Sequence, residues 1–272
     1  MPSKTPHWTA NKHLGQHFLV SEKVKQAIIA TCPPSADAIL EIGPGEGALT
    51  ELLPSLQKPL FTIEIDERFI PHLHELMPPE QVIRQNALEV DYPSLLRPYA
   101  AWWVVSNMPY NIAAPLMRQL LPLTNVAGMT LMMQKEMAAK VLLLPPRKGI
   151  NSLGLLLQNF WEVKKICAVD PTAFRPRPQV DSAVLFFTPR AHPLLPLAQL
   201  SAWEKFLRQI FAFRRKQIQL VLARMIQQAD PTFAAKTVSQ DLLAQVSLNP
   251  QVRAEALCAE QILALFQAWM AL

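Results

Sequence analysis

The chain has 272 residues, half of them hydrophobic and 17% charged, which suits one large domain plus a small one and excludes global disorder. Its net charge of +5 favours a polyanionic partner without requiring one, and its three scattered cysteines, Cys32, Cys167 and Cys258, exclude a disulfide framework and suit a reducing cytoplasm. His72 and His74 are two apart and share no helix face, so no metal is expected; with no apolar leader and no run of about 20 apolar residues, no membrane association is expected either.

Proline (25 residues) outnumbers glycine (7), so prolines set many element boundaries. Ala38–Ile42 reads as a buried strand, followed by a glycine-rich turn and a helix over about 48–56. Residues 60–65 form the next strand, then a helix opened by Asp66 as N-cap, which Pro71 should kink or shift. Strands at 81–84, 102–106 and 129–133 alternate with helices at 115–121 and 135–144. Two later strands, 163–169 and 183–188, are separated by a proline-rich loop. Such alternation predicts an α/β fold with a mostly parallel sheet covered on both faces. The last two strands lack a crossover helix and predict an antiparallel edge. After Pro189 only helical signals follow, with Ser201 and Glu204 at capping-box spacing. Pro189, Pro193 and Pro196 mark a boundary, giving a domain over 1–190 and a small all-α domain over 191–272.

Glu41-Ile42-Gly43-Pro44-Gly45-Glu46-Gly47 follows the first strand and opens a helix. Gly43 and Gly45 let the backbone approach a ligand without a Cβ in the way. The spacing is GxGxG, not the GxGxxG of dinucleotide folds, and Pro44 removes a donor that a pyrophosphate would need. A ligand without phosphates, such as S-adenosylmethionine, fits better. Seventeen residues beyond Gly47, Glu64 ends the second strand with Ile65 beside it, and its carboxylate can accept both ribose hydroxyls. Asn86, with Ala87 next to it, ends the third strand; it either meets the cofactor adenine or stabilises a turn.

Asn107-Met108-Pro109-Tyr110 ends the fourth strand. An exocyclic purine amine is a poor nucleophile because its lone pair is delocalised into the ring. Two acceptors against its hydrogens, the Asn107 side-chain oxygen and the Met108 carbonyl, favour a more tetrahedral nitrogen and aim the lone pair. Pro109 stiffens the turn and Tyr110 offers a flat face to an extruded base. Phe174-Arg175-Pro176-Arg177-Pro178 lies between the last two strands. Phe174 is either a second stacking face or a core residue, and Arg175 and Arg177 can meet phosphates. Six basic residues lie between Ser201 and Asp230, Arg214, Arg215 and Lys216 among them, against Glu204 and Asp230. They form either an RNA-backbone contact or a solvated helix face.

These motifs, in this order, resemble the small-subunit rRNA adenine N6,N6-dimethyltransferases from Leu14 nearly to the C-terminus. The resemblance rests on Gly15-Gln16-His17-Phe18-Leu19, EIGPGEG at 41–47, Glu64-Ile65-Asp66, NMPYN at 107–111 and Gln134-Lys135-Glu136. It continues through Phe174-x-Pro-x-Pro with Val180-Asp181-Ser182, Phe213-x-Arg-Arg-Lys and Arg253-Ala254-Glu255-x-Leu257. It implies a Rossmann-like class I methyltransferase sheet and S-adenosylmethionine as cofactor, with Gln16, His17 and Leu19 closing over its methionine end. It further implies dimethylation of two adjacent adenosines in a hairpin near the 3′ end of small-subunit rRNA. The partner would be a pre-ribosomal small subunit, met by a cytoplasmic monomer with a role in subunit biogenesis. Asn86 stands where the family usually has Asp, keeping an acceptor without the charge, and Ala113-Ala114-Pro115 replaces a common Ser/Thr. A sister family, the large-subunit rRNA methyltransferases of macrolide resistance, shares the cofactor and target motifs. The GQHFL, FxRRK and RAExL segments favour the small-subunit family. A non-catalytic assembly factor on the same fold is the other alternative, against which Glu64, Asn107, Pro109 and Tyr110 stand intact.

Overall fold

The computed structural model describes residues 8–11, 15–108, 112–143 and 150–272. In chain order they form β1 (Phe18–Leu19), α1 (Glu22–Ile29), β2 (Ala38–Ile42), β3 (Leu60–Glu64), α2 (Ile70–Leu76), β4 (Val82–Arg84), α3 (Tyr92–Leu95) and β5 (Trp102–Asn107). Next come α4 (Ala113–Leu120), β6 (Val126–Gln134), α5 (Lys135–Leu142), α6 (Ser152–Phe160), β7 (Trp161–Val169), β8 (Phe174–Arg175) and β9 (Ser182–Pro189). Four helices follow: α7 (Leu200–Ala212), α8 (Ile218–Ala229), α9 (Ala235–Gln245) and α10 (Ala259–Met270).

Seven strands form one sheet in the order β4-β3-β2-β5-β6-β9-β7. The run from β4 to β6 is parallel, and β9 enters antiparallel between β6 and β7. Every residue of β2 is buried, as are the first five of β5, because a parallel strand covered on both faces has no solvent side to alternate toward. The outer strand β7 is different: Lys164 and Lys165 are exposed along it, and such charges discourage edge-to-edge pairing. The mostly parallel α/β sheet, its antiparallel edge and the helical C-terminal region are as the sequence implied.

The chain falls into two compact units, 1–138 with 161–191 and 139–160 with 192–272. The junction at 191 lies inside the proline-marked boundary, but residues 139–160 group with the helical unit rather than with the sheet. There, Asn159 O accepts the Leu194 N–H at 3.1 Å, and α6 buries Leu153, Leu155, Leu156, Leu157 and Phe160.

Three local expectations are corrected. The helix over 48–56 is a series of turns ending in a short 3₁₀ segment, Leu53–Leu56. Pro54 supplies no N–H for a continuing helical ladder, and Leu52 N bonds to Leu49 O instead. Asp66 is not a helix N-cap: its carbonyl accepts Phe69 N at 3.1 Å in a turn, and α2 begins at Ile70 with Pro71 in its first turn, where a missing N–H is harmless. Ser201 and Glu204 form no capping box, since a 3₁₀ turn at Leu197–Gln199 runs into α7 and places Ser201 inside the helix. A capping box forms instead at α10, between Cys258 and Gln261.

Gly154, in the first turn of α6, touches the end of α5 so closely that a Cβ would sit 2.4 Å from the Lys140 carbonyl oxygen and 2.5 Å from Leu143. Alanine ordinarily gains up to about 1 kcal/mol over glycine in a helix. Here the overlap outweighs that gain, so Gly154→Ala is expected to destabilise the protein by about 1–3 kcal/mol. Urea unfolding measures it, and a stabilised variant would show that the two backbones are not in contact.

Candidate functional site

The parallel pairing of β2 with β3 and β5 sets Ile42 opposite Ile63 and Glu41 opposite Val105, so three strands end at one edge of the sheet. This is also where the strand order reverses, from β4-β3-β2 on one side to β5-β6 on the other, the place where open α/β sheets bind ligands. Two hydrogen bonds tie the ends together: Gly43 N–H to Ile63 O at 2.9 Å, and buried Ser106 Oγ–H to Ile42 O at 2.6 Å. Gly43, Gly45 and Gly47 then take φ of 71°, 57° and 83°, a left-handed path that side-chain-bearing residues resist.

A cavity of about 270 Å³ opens at this edge. Gly43 and Gly45 line it from the loop, Glu64 and Ile65 from the end of β3, and Asn107 and Met108 from the end of β5. Asn86 and Ala87 close one side, and Gln16, His17 and Leu19 close another. Pro109 and Tyr110 lie outside the described residues.

Glu64 is nearly buried; it accepts Gly45 N–H on one carboxylate oxygen at 2.9 Å and Asp66 N–H on the other at 2.8 Å. Burial raises its pKa, opposed by these backbone donors. Glu41, which also lines the cavity and which sequence reasoning left without a role, is pushed up to about 8 by burial. The Thr50 hydroxyl, donating to it at 2.6 Å, opposes the shift, and the Glu64 charge adds to it. Asn107 donates from Nδ2 to the His17 carbonyl at 3.0 Å, which fixes the amide so that its oxygen is the end turned to other partners. The Met108 N–H is held by Met132 O at 3.1 Å.

The N-terminal segment crosses this site as a strap. β1 pairs antiparallel with β8, Phe18 opposite Arg175 and Leu19 opposite Phe174, and His17 Nδ1 lies 2.8 Å from Pro176 O. Arg68 and Asp66 clasp its start. Asp66 accepts Arg68 Nε at 2.8 Å and Gln16 Nε2 at 2.8 Å, while Arg68 reaches the Thr9 carbonyl at 3.1 Å. The Arg68 guanidinium holds the Asp66 carboxyl down at about 2. Trp8 packs edge-on against Phe69 at 5.0 Å. No sequence pattern announced this clasp, because Asp66, which Gln16 meets in it, lies 50 residues away.

Phe174 is corrected. It is 3% exposed, sits in the core with Leu19, Val169, Ala173 and Val184, and does not line the cavity, so here it presents no face to a base. Pairing with Leu19 turns its ring inward and leaves Arg175 exposed on the other face. Arg175 lies near enough to Glu46 to oppose the rise that burial causes in that carboxyl, and Arg177 is exposed. Asn86 lines the cavity while its side chain caps a turn, accepting Leu88 N–H at 3.1 Å and donating to Glu89 at 3.0 Å. Arg214, Arg215 and Lys216 belong to the helical unit and are exposed there, Arg214 3.9 Å from Glu255.

Three glutamates, Glu41, Glu46 and Glu64, line the cavity, and among the described residues no Lys or Arg does. Pro44 offers no N–H and that of Gly45 is taken by Glu64, so the loop is no phosphate nest. Such a lining repels a pyrophosphate and suits a nucleoside bearing a cationic centre. That ligand chemistry is S-adenosylmethionine, and the chain is a methyltransferase of the class that uses it. The model of the ribosomal RNA adenine dimethylase family matches residues 8–265, and the chain belongs to that family. It is 36% identical over 242 residues to the ribosomal RNA small subunit methyltransferase A of Acidithiobacillus ferrooxidans, covering 85% of this chain and 91% of that one. To the same enzyme of Geobacter metallireducens it is 33% identical over 271 residues, covering 97% and 96%. A dimethyladenosine transferase from Plasmodium falciparum superposes with TM-score 0.76 at 24% identity, covering 94% of this chain and 98% of that one. The 23S rRNA methyltransferase ErmE gives 0.66 at 25%, covering 92% and 98%. A dimethyladenosine transferase and a 23S rRNA methyltransferase thus share this fold, so the fold alone does not choose the substrate RNA.

Two expectations follow. Glu41 titrates near 4.5 in the unfolded chain and about 8 in the folded one, so between those values the native state holds a proton that the unfolded state has lost. Stability therefore falls as pH rises through that window. Glu41→Gln removes the titration and keeps the shape. Its stability relative to wild type should climb by up to roughly 1.4 kcal/mol per pH unit from pH 5 to 8; a flat difference in paired unfolding curves would show Glu41 to be ionised. Arg68→Ala should weaken S-adenosylmethionine binding about tenfold in calorimetry, with kcat at saturation little changed and Arg68→Lys partly restoring it. An equal loss in kcat would mean that the strap acts on the chemistry.

Proposed function

We propose that this enzyme transfers methyl groups from S-adenosylmethionine to N6 of two adjacent adenosines in a hairpin near the 3′ end of small-subunit rRNA. It acts as a cytoplasmic monomer on a pre-ribosomal small subunit. The observation that carries the reading is the fixed amide of Asn107, whose Nδ2 is committed to the His17 carbonyl and whose oxygen is left to accept. When bound, the cofactor supplies an electrophilic methyl on its sulfonium. Glu64 accepts the ribose hydroxyls with the lone pairs that Gly45 and Asp66 do not use. Asn86 and Ala87 flank the adenine, Gln16, His17 and Leu19 cover the methionine end, and the loop at Gly43 gives the room.

The target amine donates one hydrogen to Asn107 Oδ1 and the other to the Met108 carbonyl. Its lone pair then points along the third direction, and both acceptors stabilise the positive charge that develops on nitrogen. Tyr110 is the aromatic residue offered to the extruded base; Phe174, buried, supports the strap instead. Arg175 and Arg177 meet phosphates at the sheet unit, and Arg214, Arg215 and Lys216 do so at the helical unit. Among the described residues no helix is long and apolar enough to cross a membrane. The GQHFL, FxRRK and RAExL segments favour the small subunit over the large one.

Methyl transfer to isolated subunit particles from unmodified ribosomes tests this. Label is expected in small-subunit rRNA as dimethyladenosine, and label in large-subunit rRNA would overturn the choice. Asn107→Ala should reduce turnover by far more than tenfold while RNA binding survives; a smaller loss would overturn the two-acceptor mechanism.

A further inference from the structure

We infer that the helical unit carries a second, base-sized site: a pocket between the end of α7 and the side of α8 that takes one unstacked nucleotide of the RNA. The inference rests on RNA being the substrate, and it concerns residues with no part in the methyl-transfer chemistry.

The pocket measures about 230 Å³, below the roughly 300 Å³ at which sites for larger organic ligands begin, so it suits a single base. Val221 and Met225 form its apolar floor, and Phe213 and Arg224 one wall. Phe213 caps the end of α7 and is 38% exposed, so part of its ring is open to a ligand. The chain reverses just beyond it, Lys216 N–H bonding back to Phe213 O at 2.7 Å, so the ring is held outward. The Arg224 guanidinium lies 4.6 Å over that ring, already in the geometry with which aromatic and guanidinium faces sandwich or extend a stack.

Charge selects the occupant. Arg208 lines the pocket beside Arg224, and among the described residues no carboxylate does. Arg208 meets Glu204, one helical turn away, at 3.8 Å, and at 75% exposure its guanidinium is solvated enough that this pair neutralises it only weakly. An apolar partner would desolvate two guanidiniums without compensation. A bare phosphate would leave the Phe213 ring unused. A nucleotide satisfies both: its base stacks on Phe213 and Arg224, its phosphate meets Arg208, and Gln209 and Gln228 offer amides that both donate and accept toward base edges. Arg214, Arg215 and Lys216 follow Phe213 directly and are exposed, ready to hold the flanking backbone.

The test uses the full chain and a single-stranded RNA oligonucleotide containing 4-thiouridine, irradiated and mapped by mass spectrometry, with filter binding across a salt series. Cross-links are expected within residues 208–228. Phe213→Ala should lower affinity about tenfold with the salt slope unchanged, and Phe213→Tyr should restore it. Arg215→Ala with Lys216→Ala should instead lower the salt slope and leave the cross-link in place. All three proteins should keep the wild-type unfolding midpoint. Tight binding with wild-type cross-links in Phe213→Ala, or cross-links only outside 208–228, would overturn the pocket. Failure of the wild-type chain to bind any RNA would overturn the RNA reading and the pocket together.

Discussion

The site depends on one constraint, the common termination of β2, β3 and β5 at a single sheet edge. Parallel pairing fixes the register, with Ile42 level with Ile63 and Glu41 level with Val105. The two ties at that edge, Gly43 to Ile63 and Ser106 to Ile42, hold the strand ends where they would otherwise fray. A one-residue slip of β5 would send the Asn107 side chain to the opposite face of the sheet. The core beneath is dense with Trp103, Val105, Ile39 and Val184, so the cost of such a slip is set by buried apolar area rather than by anything at the site.

Acidic lining is the second determinant, and it separates this cavity from a dinucleotide site on a similar sheet. Positive-φ glycines alone are common to both. What differs is that a carboxylate, not a phosphate, receives the Gly45 N–H. Two further carboxyls nearby would make the cavity strongly anionic if all ionised. Burial prevents this by keeping Glu41 protonated at neutral pH, with its proton available as a donor. The cavity therefore keeps its attraction for a cation without the full repulsion among three charges.

Much of this was legible in the sequence, because its strongest signals are local. Apolar runs bounded by glycine or proline gave strands within a few residues of those observed, and EIGPGEG, Glu64 and Asn107 stand at strand ends as their spacing required. Failures occurred where local chemistry admits two outcomes. Asp66 has the side chain of an N-cap, yet its carboxylate is taken by Arg68 and Gln16. Ser201 and Glu204 have the spacing of a capping box, but the preceding 3₁₀ turn had already started the helix. Phe174 could face a ligand or the core, and only its pairing with Leu19 decides. The Arg68 clasp and the Phe213–Arg224 pocket were illegible, since each joins residues whose proximity is created by the fold.

The strap links the cavity wall to the end of β5. His17 lines the cavity and, through its carbonyl, is also the group that orients Asn107. An asparagine amide with neither end committed can present N–H or oxygen to a target amine, and only the oxygen can accept its hydrogen. By occupying Nδ2, the strap removes the unproductive choice. Its own position comes from two sources: pairing of β1 with β8 at one end, and the Asp66–Arg68–Gln16 network at the other. One segment therefore both lines the cavity and orients the Asn107 amide. The clasp at Gln16 and the pairing at Phe18 act on different ends of that segment, so losing Arg68 would free the residues over the cavity while the β1–β8 pairing still holds the His17 carbonyl against Asn107.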